Sequence, residues 1–206
     1  LYFERHDGQA VTCDDFVSAM QDAYGVDLAQ FRRWYEQAGT PRLSARTAFD
    51  AATGRWTLTL EQSNPETAYE KRLQEEGLRF ERRPLHIPVA LGLLDADGRE
   101  ILPTTVLSLT EASGRFEFAL SAHGLKVPPL PSLLRNFSAP VALDYQYGDS
   151  DLATLMAHDS DEFNRWEAGQ RLATRLMLAG VAQVQAGSEA VVPDLFVDAF
   201  AAVLAK

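Results

Sequence analysis

The hydrophobic period of this chain changes twice, and that change constrains its fold more than any single motif does. Residues 1–39 carry apolar groups at helical spacing, residues 42–147 alternate as strands do with turn residues at short intervals, and the helical spacing returns after Tyr147. Successive strand side chains point to opposite faces, whereas a helix returns to the same face about every 3.6 residues, so one segment cannot satisfy both patterns. The chain must be built as helices, then a sheet structure, then helices.

The first segment opens with Leu1-Tyr2-Phe3 and the charged run Glu4-Arg5-His6-Asp7, which reads as the tail of a helix. Thr12 with Asp15 three residues on has the form of a capping box, and Phe16, Val17, Met20 and Tyr24 then fall on one face up to Gly25. A second helix is predicted from Asp27 through Leu28, Phe31, Trp34, Tyr35 and Ala38, stopped by Gly39 with Pro41 beyond.

The middle segment predicts seven strands of an antiparallel Ig-like sandwich. Residues 43–49 and 55–60 flank Thr53-Gly54, 86–94 and 99–102 flank Asp97-Gly98, and 106–110 and 115–120 flank Ser113-Gly114, with 141–147 closing the set. Its inward residues are expected to include Leu58, Leu60, Ile87, Val89, Leu91, Leu107, Phe116, Phe118, Val141 and Leu143. The stretch from Asn64 to Pro84, rich in Glu, Lys and Arg, reads as a solvated loop with a helical turn around Tyr69 to Glu76. In the last segment Asp151 is expected to cap a short helix. Asp159 with Glu162 opens a longer one, with Phe163, Trp166, Ala173, Leu176, Met177 and Gly180 on one face. Pro193 then begins a final helix carrying Phe196, Phe200 and Leu204. The fold class is mainly β with flanking α, divided as 1–39, 40–147 and 148–206.

Composition narrows the function. With 19 Lys and Arg against 29 Asp and Glu the net charge is −10, which disfavours a phosphate backbone as partner. No apolar run reaches the length of a membrane span, and the single cysteine, Cys13, cannot close an internal disulfide, as expected of a reducing cytoplasm. The four histidines, His6, His86, His123 and His158, are never spaced to put two imidazoles on one helical face, so no local zinc site is expected. Cys13 near a helix start is read as a packing or capping-turn residue. Gly92, Gly98, Gly114 and Gly124 are scattered through strand and hairpin contexts and build no phosphate loop. Asp149, Asp151, Asp159, Asp161 and Glu162 sit around helix starts, where the macrodipole favours them. Trp34-Tyr35 and Phe163 with Trp166 are read as core packing. No catalytic, cofactor-binding or metal residue is expected in this chain.

Several stretches taken together resemble the M1 zinc aminopeptidases, in their bacterial aminopeptidase N branch. These are Tyr2-Phe3-Glu4-Arg5-His6-Asp7-Gly8-Gln9-Ala10, Phe31-Arg32-Arg33-Trp34-Tyr35 leading to Gly39-Thr40-Pro41, Pro84-Leu85-His86-Ile87-Pro88, Pro131 through Val141, and Asp161-Glu162-Phe163-Asn164-Arg165-Trp166-Glu167-Ala168. The resemblance runs in order over nearly the whole chain and departs only at 64–84, which looks longer and more charged than the family's loop. It implies the helical end of a thermolysin-like catalytic domain (1–39), a sandwich domain (40–147) and the start of a C-terminal helical domain (148–206).

The family's activity is zinc-dependent removal of N-terminal amino acids from peptides. Its His-Glu-x-x-His helix, the second glutamate, the Gly-x-Met-Glu-Asn strand and the oxyanion tyrosine are not in this sequence, so by this resemblance the zinc ligands belong to a parent enzyme upstream. The chain is expected to be an excised, inactive inter-domain scaffold of that enzyme. Its partners would be the rest of the same polypeptide and, for the parent, peptide substrates, with no nucleic acid and no membrane. The alternative is a free-standing Ig-like protein- or ligand-binding module. The scaffold reading further expects the apolar faces of the end helices to make self-contacts in the isolated chain.

Overall fold

The computed structural model describes residues 1–205, apart from the side chain of Ala122; Lys206, the last residue of the predicted helical segment, lies outside them. Three helices lead in, α1 (Tyr2–His6), α2 (Cys13–Tyr24) and α3 (Ala29–Glu36). The Thr12–Asp15 capping box is present in both directions, and Gly25 ends α2 at φ 62°, a left-handed conformation that costs glycine nothing. Asp27 accepts from Ala29 N at 2.8 Å and so starts α3, which stops at Glu36, ahead of Ala38 and Gly39.

The strands are β1 (Arg42–Asp50), β2 (Arg55–Ser63), β3 (Ile87–Leu94), β4 (Glu100–Leu109), β5 (Ser113–Ala119), β6 (Leu130–Leu133) and β7 (Ala142–Asp144), with α4 (Ala68–Glu75) inserted after β2. They form two sheets, in the orders β5-β2-β1-β7 and β4-β3-β6. The hairpins at Thr53-Gly54 and Asp97-Gly98 form, with Gly54 and Gly98 at φ 65° and 78°. Leu43, Trp56, Leu58 and Leu60 from one sheet meet Ile87, Val89, Leu91, Leu93 and Leu109 from the other, all essentially inaccessible. Of the predicted inward set, Phe116, Phe118, Val141 and Leu143 are half-buried against this core and the other six are buried.

Three expectations about the sheet are corrected. The sandwich is not wholly antiparallel, because β7 runs parallel to β1, Arg42 opposite Ala142 to Ser44 opposite Asp144; β7 reaches that edge by a crossover from the other sheet, which no hairpin signal encodes. Ser113-Gly114 is not a turn. It lies inside β5, where Gly114 pairs with Leu60, and the chain between β4 and β5 crosses from one sheet to the other. The count of seven is reached by two compensating changes: residues 99–102 and 106–110 belong to the one strand β4, and β6 is additional. Pro103 does not break β4 because it sits on an edge strand at a shift in register, where no ladder hydrogen bond is lost.

After the sandwich come α5 (Asp149–His158), α6 (Glu162–Gln185) and α7 (Asp194–Leu204), sharing a second core of Leu94, Tyr147, Leu152, Leu155, Met156, Ala168 and Leu172. Asp151 is not the cap of α5. It is the third residue of the first turn, and its carboxylate accepts from Gly148 N at 2.8 Å. Nor does Asp159 open α6; Asp161 does, accepting from Asn164 N at 2.8 Å. The buried stripe of α6 is Asn164, Ala168 and Leu172, whereas Trp166 and Met177 are 58% and 64% exposed. Two of these three inward residues are polar or small, and of the expected face Leu176 packs on this core, so hydrophobicity alone misplaces Trp166 and Met177 on the helix.

Candidate functional site

The most organised polar site is the junction between the sandwich and α5–α6, and it is built around Arg135. From Val127 to Leu143 the sequence holds one charge, Arg135, and its side chain is 1% exposed. A buried guanidinium is tolerated only when every N–H direction meets an acceptor. Its Nε donates to Ser132 Oγ at 2.9 Å, Nη2 to Asp159 Oδ1 at 2.9 Å, and Nη1 to Thr104 Oγ1 at 2.9 Å and to Glu100 Oε1. Glu100 and Thr104 lie on β4, Ser132 on β6 and Asp159 on the turn between α5 and α6, so one side chain ties three elements.

The surrounding groups complete the site. Ser160 Oγ donates to Glu100 Oε1 at 2.9 Å, Asn136 N to Asp161 Oδ2 at 2.8 Å, and Asn164 Nδ2 to both Ser132 Oγ at 2.7 Å and the Leu133 carbonyl at 2.9 Å. Burial works against the charge on Glu100, but the hydrogen bonds from Arg135 and Ser160, with the charge of Arg135, outweigh it and hold the carboxyl below its ordinary value. Leu134, Asn136 and Phe137 have φ of 58°, 54° and 49°. Left-handed backbone is costly for side chains bulkier than Asn, and here it brackets Arg135 and turns it inward. The second tie is Tyr147, buried, whose hydroxyl donates to the Pro131 carbonyl at 2.9 Å; burial, first of all, pushes its ionisation upward.

At the opposite end α3 is fastened to the segment before β3. Trp34 Nε1 donates to the His86 carbonyl at 3.0 Å, Gln30 Nε2 to the Thr110 carbonyl at 2.6 Å, and Gln37 exchanges two 3.0 Å bonds with the backbone of Arg83. Beside this seam runs an apolar groove of about 550 Å³ lined by Phe31, Trp34, Tyr35, His86, Pro88 and Pro140, among others. Trp34 is half-buried against the sandwich core, but Tyr35 is 56% exposed and so does not join it. Trp166 is likewise exposed while Phe163 is half-buried, and the two form a tilted stack with Phe137 whose successive ring centres are 5.4 and 5.9 Å apart. Cys13 is exposed at the first turn of α2.

Arg135 and Asp159 were not expected as a site; the carboxylates near 149–162 read from sequence as helix-start residues. The available signal was the lone charge in an otherwise uncharged stretch. His6 lies on α1, His86 before β3, His123 after β5 and His158 at the end of α5. Among the described residues no three His, Cys, Asp or Glu are grouped to hold a metal ion, and no helix is long and apolar enough to cross a membrane.

Residues 39–146 match the family described as a domain of unknown function, DUF3458, with an Ig-like fold. The chain belongs to that family. Residues 149–206 match its companion DUF3458_C, described as ARM repeats. The chain is 42% identical over 212 residues to aminopeptidase N of Escherichia coli K12, covering 99% of this chain and 23% of that protein. It is 41% identical over 194 residues to aminopeptidase N of Haemophilus influenzae, 91% of this chain and 21% of that one. Over 182 residues it is 42% identical to aminopeptidase N of Caulobacter vibrioides, 88% and 20%. A crystal structure of Legionella pneumophila aminopeptidase A in complex with aspartic acid superposes with a TM-score of 0.78 at 29% identity, over 100% of this chain and 21% of that one. The resemblance to aminopeptidase N read from the sequence stands, and the chain spans about a fifth of the length of these relatives.

Proposed function

We propose that this DUF3458 chain is the inter-domain scaffold of an M1-type zinc aminopeptidase that removes N-terminal residues from peptides in the cytoplasm, and that the chain by itself does not catalyse. The observation that carries this reading is the alignment with three bacterial aminopeptidase N proteins over 88 to 99% of the chain, crossing from the leading helices through the sandwich into the trailing helices. A module that worked alone would have no need to keep all three segments together in that order. Within this reading residues 1–39 close the catalytic domain, 40–147 form the sandwich and 148–206 begin the C-terminal helical domain. The single cysteine suits a reducing compartment.

The donor set here does not fit zinc, since the four histidines lie on separate segments of the chain and, among the described residues, no three His, Cys, Asp or Glu are grouped to hold a metal ion. Metal chemistry in the parent therefore falls to residues outside this chain. What this chain contributes is placement: α3 seats on the sandwich through Trp34, Gln30 and Gln37, and α5–α6 seat on it through Arg135 and Tyr147. The test is direct. Expressing the whole reading frame is expected to give hydrolysis of an aminoacyl chromogenic substrate that a chelator abolishes, while residues 1–206 give none. Chelator-sensitive hydrolysis by the 206-residue chain, or a reading frame without a His-Glu-x-x-His helix, overturns the proposal.

A further inference from the structure

We infer that Arg135 is a positioning residue, a clasp that sets the angle between the sandwich and the α5–α6 pair, and that without it the helices swing away from β6 about the apolar contact around Tyr147. The inference deepens the scaffold reading and rests on it for its consequence, because a scaffold acts by the angle it holds.

The two sides of the junction are chemically different. On one side Leu94, Tyr147, Leu152, Leu155 and Leu172 make an apolar contact, which resists separation but has little directional preference. On the other side lies the Arg135 fork, which is directional because a planar guanidinium satisfies Ser132, Asp159, Glu100 and Thr104 in only one placement. Asp159 is 0% exposed, its Oδ2 has no hydrogen-bond partner, and Arg135 is its ion-pair partner. Removing the guanidinium leaves a buried carboxylate with only the Asp161 N–H on Oδ1. An unpaired buried charge regains water if the structure lets it. The route open to Asp159 is for the α5–α6 turn to lift from β6. The neighbouring bonds, Asn136 N to Asp161 and Asn164 Nδ2 to Leu133, attach the same turn, but they do not neutralise Asp159.

Gly92 shows that the sheet is built to receive the fork. It pairs with Ser132 in the ladder, and a Cβ there would lie 2.0 Å from Arg135 Cζ, so the guanidinium lies against bare backbone.

The test uses the full 206-residue chain with Cys13→Ser and spin labels at exposed Ser108 on β4 and Thr174 on α6. Pulsed electron-resonance distances are expected to be single and narrow with Arg135 present, and to gain a longer population in Arg135→Gln and Arg135→Lys, because one ammonium cannot replace the fork. The double variant Arg135→Met with Asp159→Leu is expected to lose the longer population, since no buried charge then seeks water, but to keep a broader distance than the unsubstituted chain, since the apolar contact alone has little directional preference. A Leu58→Ala variant loses stability from the sandwich core without broadening the distance, which separates positioning from general destabilisation. An unchanged distance in folded Arg135→Gln, or a double variant that stays open, overturns the inference. Should Arg135→Gln not fold, hydrogen exchange of the unsubstituted chain in mild urea decides: residues 132–137 and 158–164 are expected to open together, and independent opening overturns it. A reading frame without the zinc motif would refute the parent assignment and leave these measurements untouched.

Discussion

Gly92 and Arg135 occupy one volume: a methyl group on the glycine would stand 2.0 Å from the guanidinium carbon and 2.3 Å from Nη1. Gly92 has no positive φ to protect, so its identity is set by this approach alone. Gly92→Ala is expected to destabilise by about 1–3 kcal/mol, the usual range for overpacking, because the guanidinium is held on all sides and has nowhere to retreat. Gly169→Ala makes the contrast. Its Cβ would meet Met156 Sδ at an ordinary 3.4 Å inside α6, so the better helix propensity of alanine stabilises by up to about 1 kcal/mol. Urea unfolding of the two variants reads opposite signs.

Glu100 gives the junction an acid limit. Desolvation opposes its charge, yet the bonds from Arg135 and Ser160 win and its folded pKa lies below the unfolded one. A depressed carboxylate stabilises above its unfolded pKa and loses that contribution as pH falls through the folded value. With the side chain 34% exposed the effect is modest, about 1 kcal/mol or less at neutral pH. Glu100→Gln is therefore expected to be slightly less stable than the unsubstituted chain at pH 7 and to match it at the acid end. Asp50, held by Thr53, Glu70, held by the Thr67 amide, and Asp95, held by the Arg99 amide, keep an acid limb in both proteins. Denaturant midpoints measured from pH 7 down to pH 3 check the convergence.

What was legible in the sequence is what local chemistry encodes. Thr12 with Asp15, and glycine at 25, 54 and 98, specify their caps and turns through nearest neighbours, and the structure forms each of them. The alternation of Leu58 with Leu60 and of Ile87, Val89 and Leu91 likewise fixes which side faces the core. The misses are non-local. β6 is hidden behind Pro128, Pro129 and Pro131, and it exists because β3 offers it one edge to pair with. The parallel seating of β7 depends on the path between sheets, to which the local turn residues are blind. Arg135 and Asp159 are 24 residues apart and become a site only once β6 and the α5–α6 turn meet. The family resemblance was legible because it rests on long matched stretches rather than on any one residue.

Trp34 is expected to govern how firmly the leading helices hold to the sandwich. Its ring packs on the sandwich core and its N–H reaches the His86 carbonyl, so truncation removes packing and a buried-side hydrogen bond together. Trp34→Ala is expected to cost about 3 kcal/mol, and Trp34→Phe less, since it keeps most of the apolar area. Hydrogen exchange tells local from global loss. Protection is expected to fall in residues 29–36 and 83–86 while β2 and β3 stay protected; uniform loss would place Trp34 in the common core instead.

The orientation of α6 separates two assignments of the same helix. Sequence periodicity puts Trp166 and Met177 on the packed face, while the structure buries Ala168 and Leu172 and leaves Met177 64% exposed. Leu172 touches the core shared with Leu152 and Leu155 and has no accessible surface, so Leu172→Ala loses transfer energy and opens a cavity, together about 2–5 kcal/mol. Met177→Ala removes a side chain that already meets water and is expected to stay within about 0.5 kcal/mol of the unsubstituted chain. The pair is decisive because both substitutions place alanine, a good helix former, in the same helix, so propensity changes little and burial alone sets the difference. Chemical denaturation of both variants, read at 222 nm by circular dichroism, measures it. Equal losses, or a larger loss at Met177, would mean that α6 packs through the face its hydrophobicity advertises.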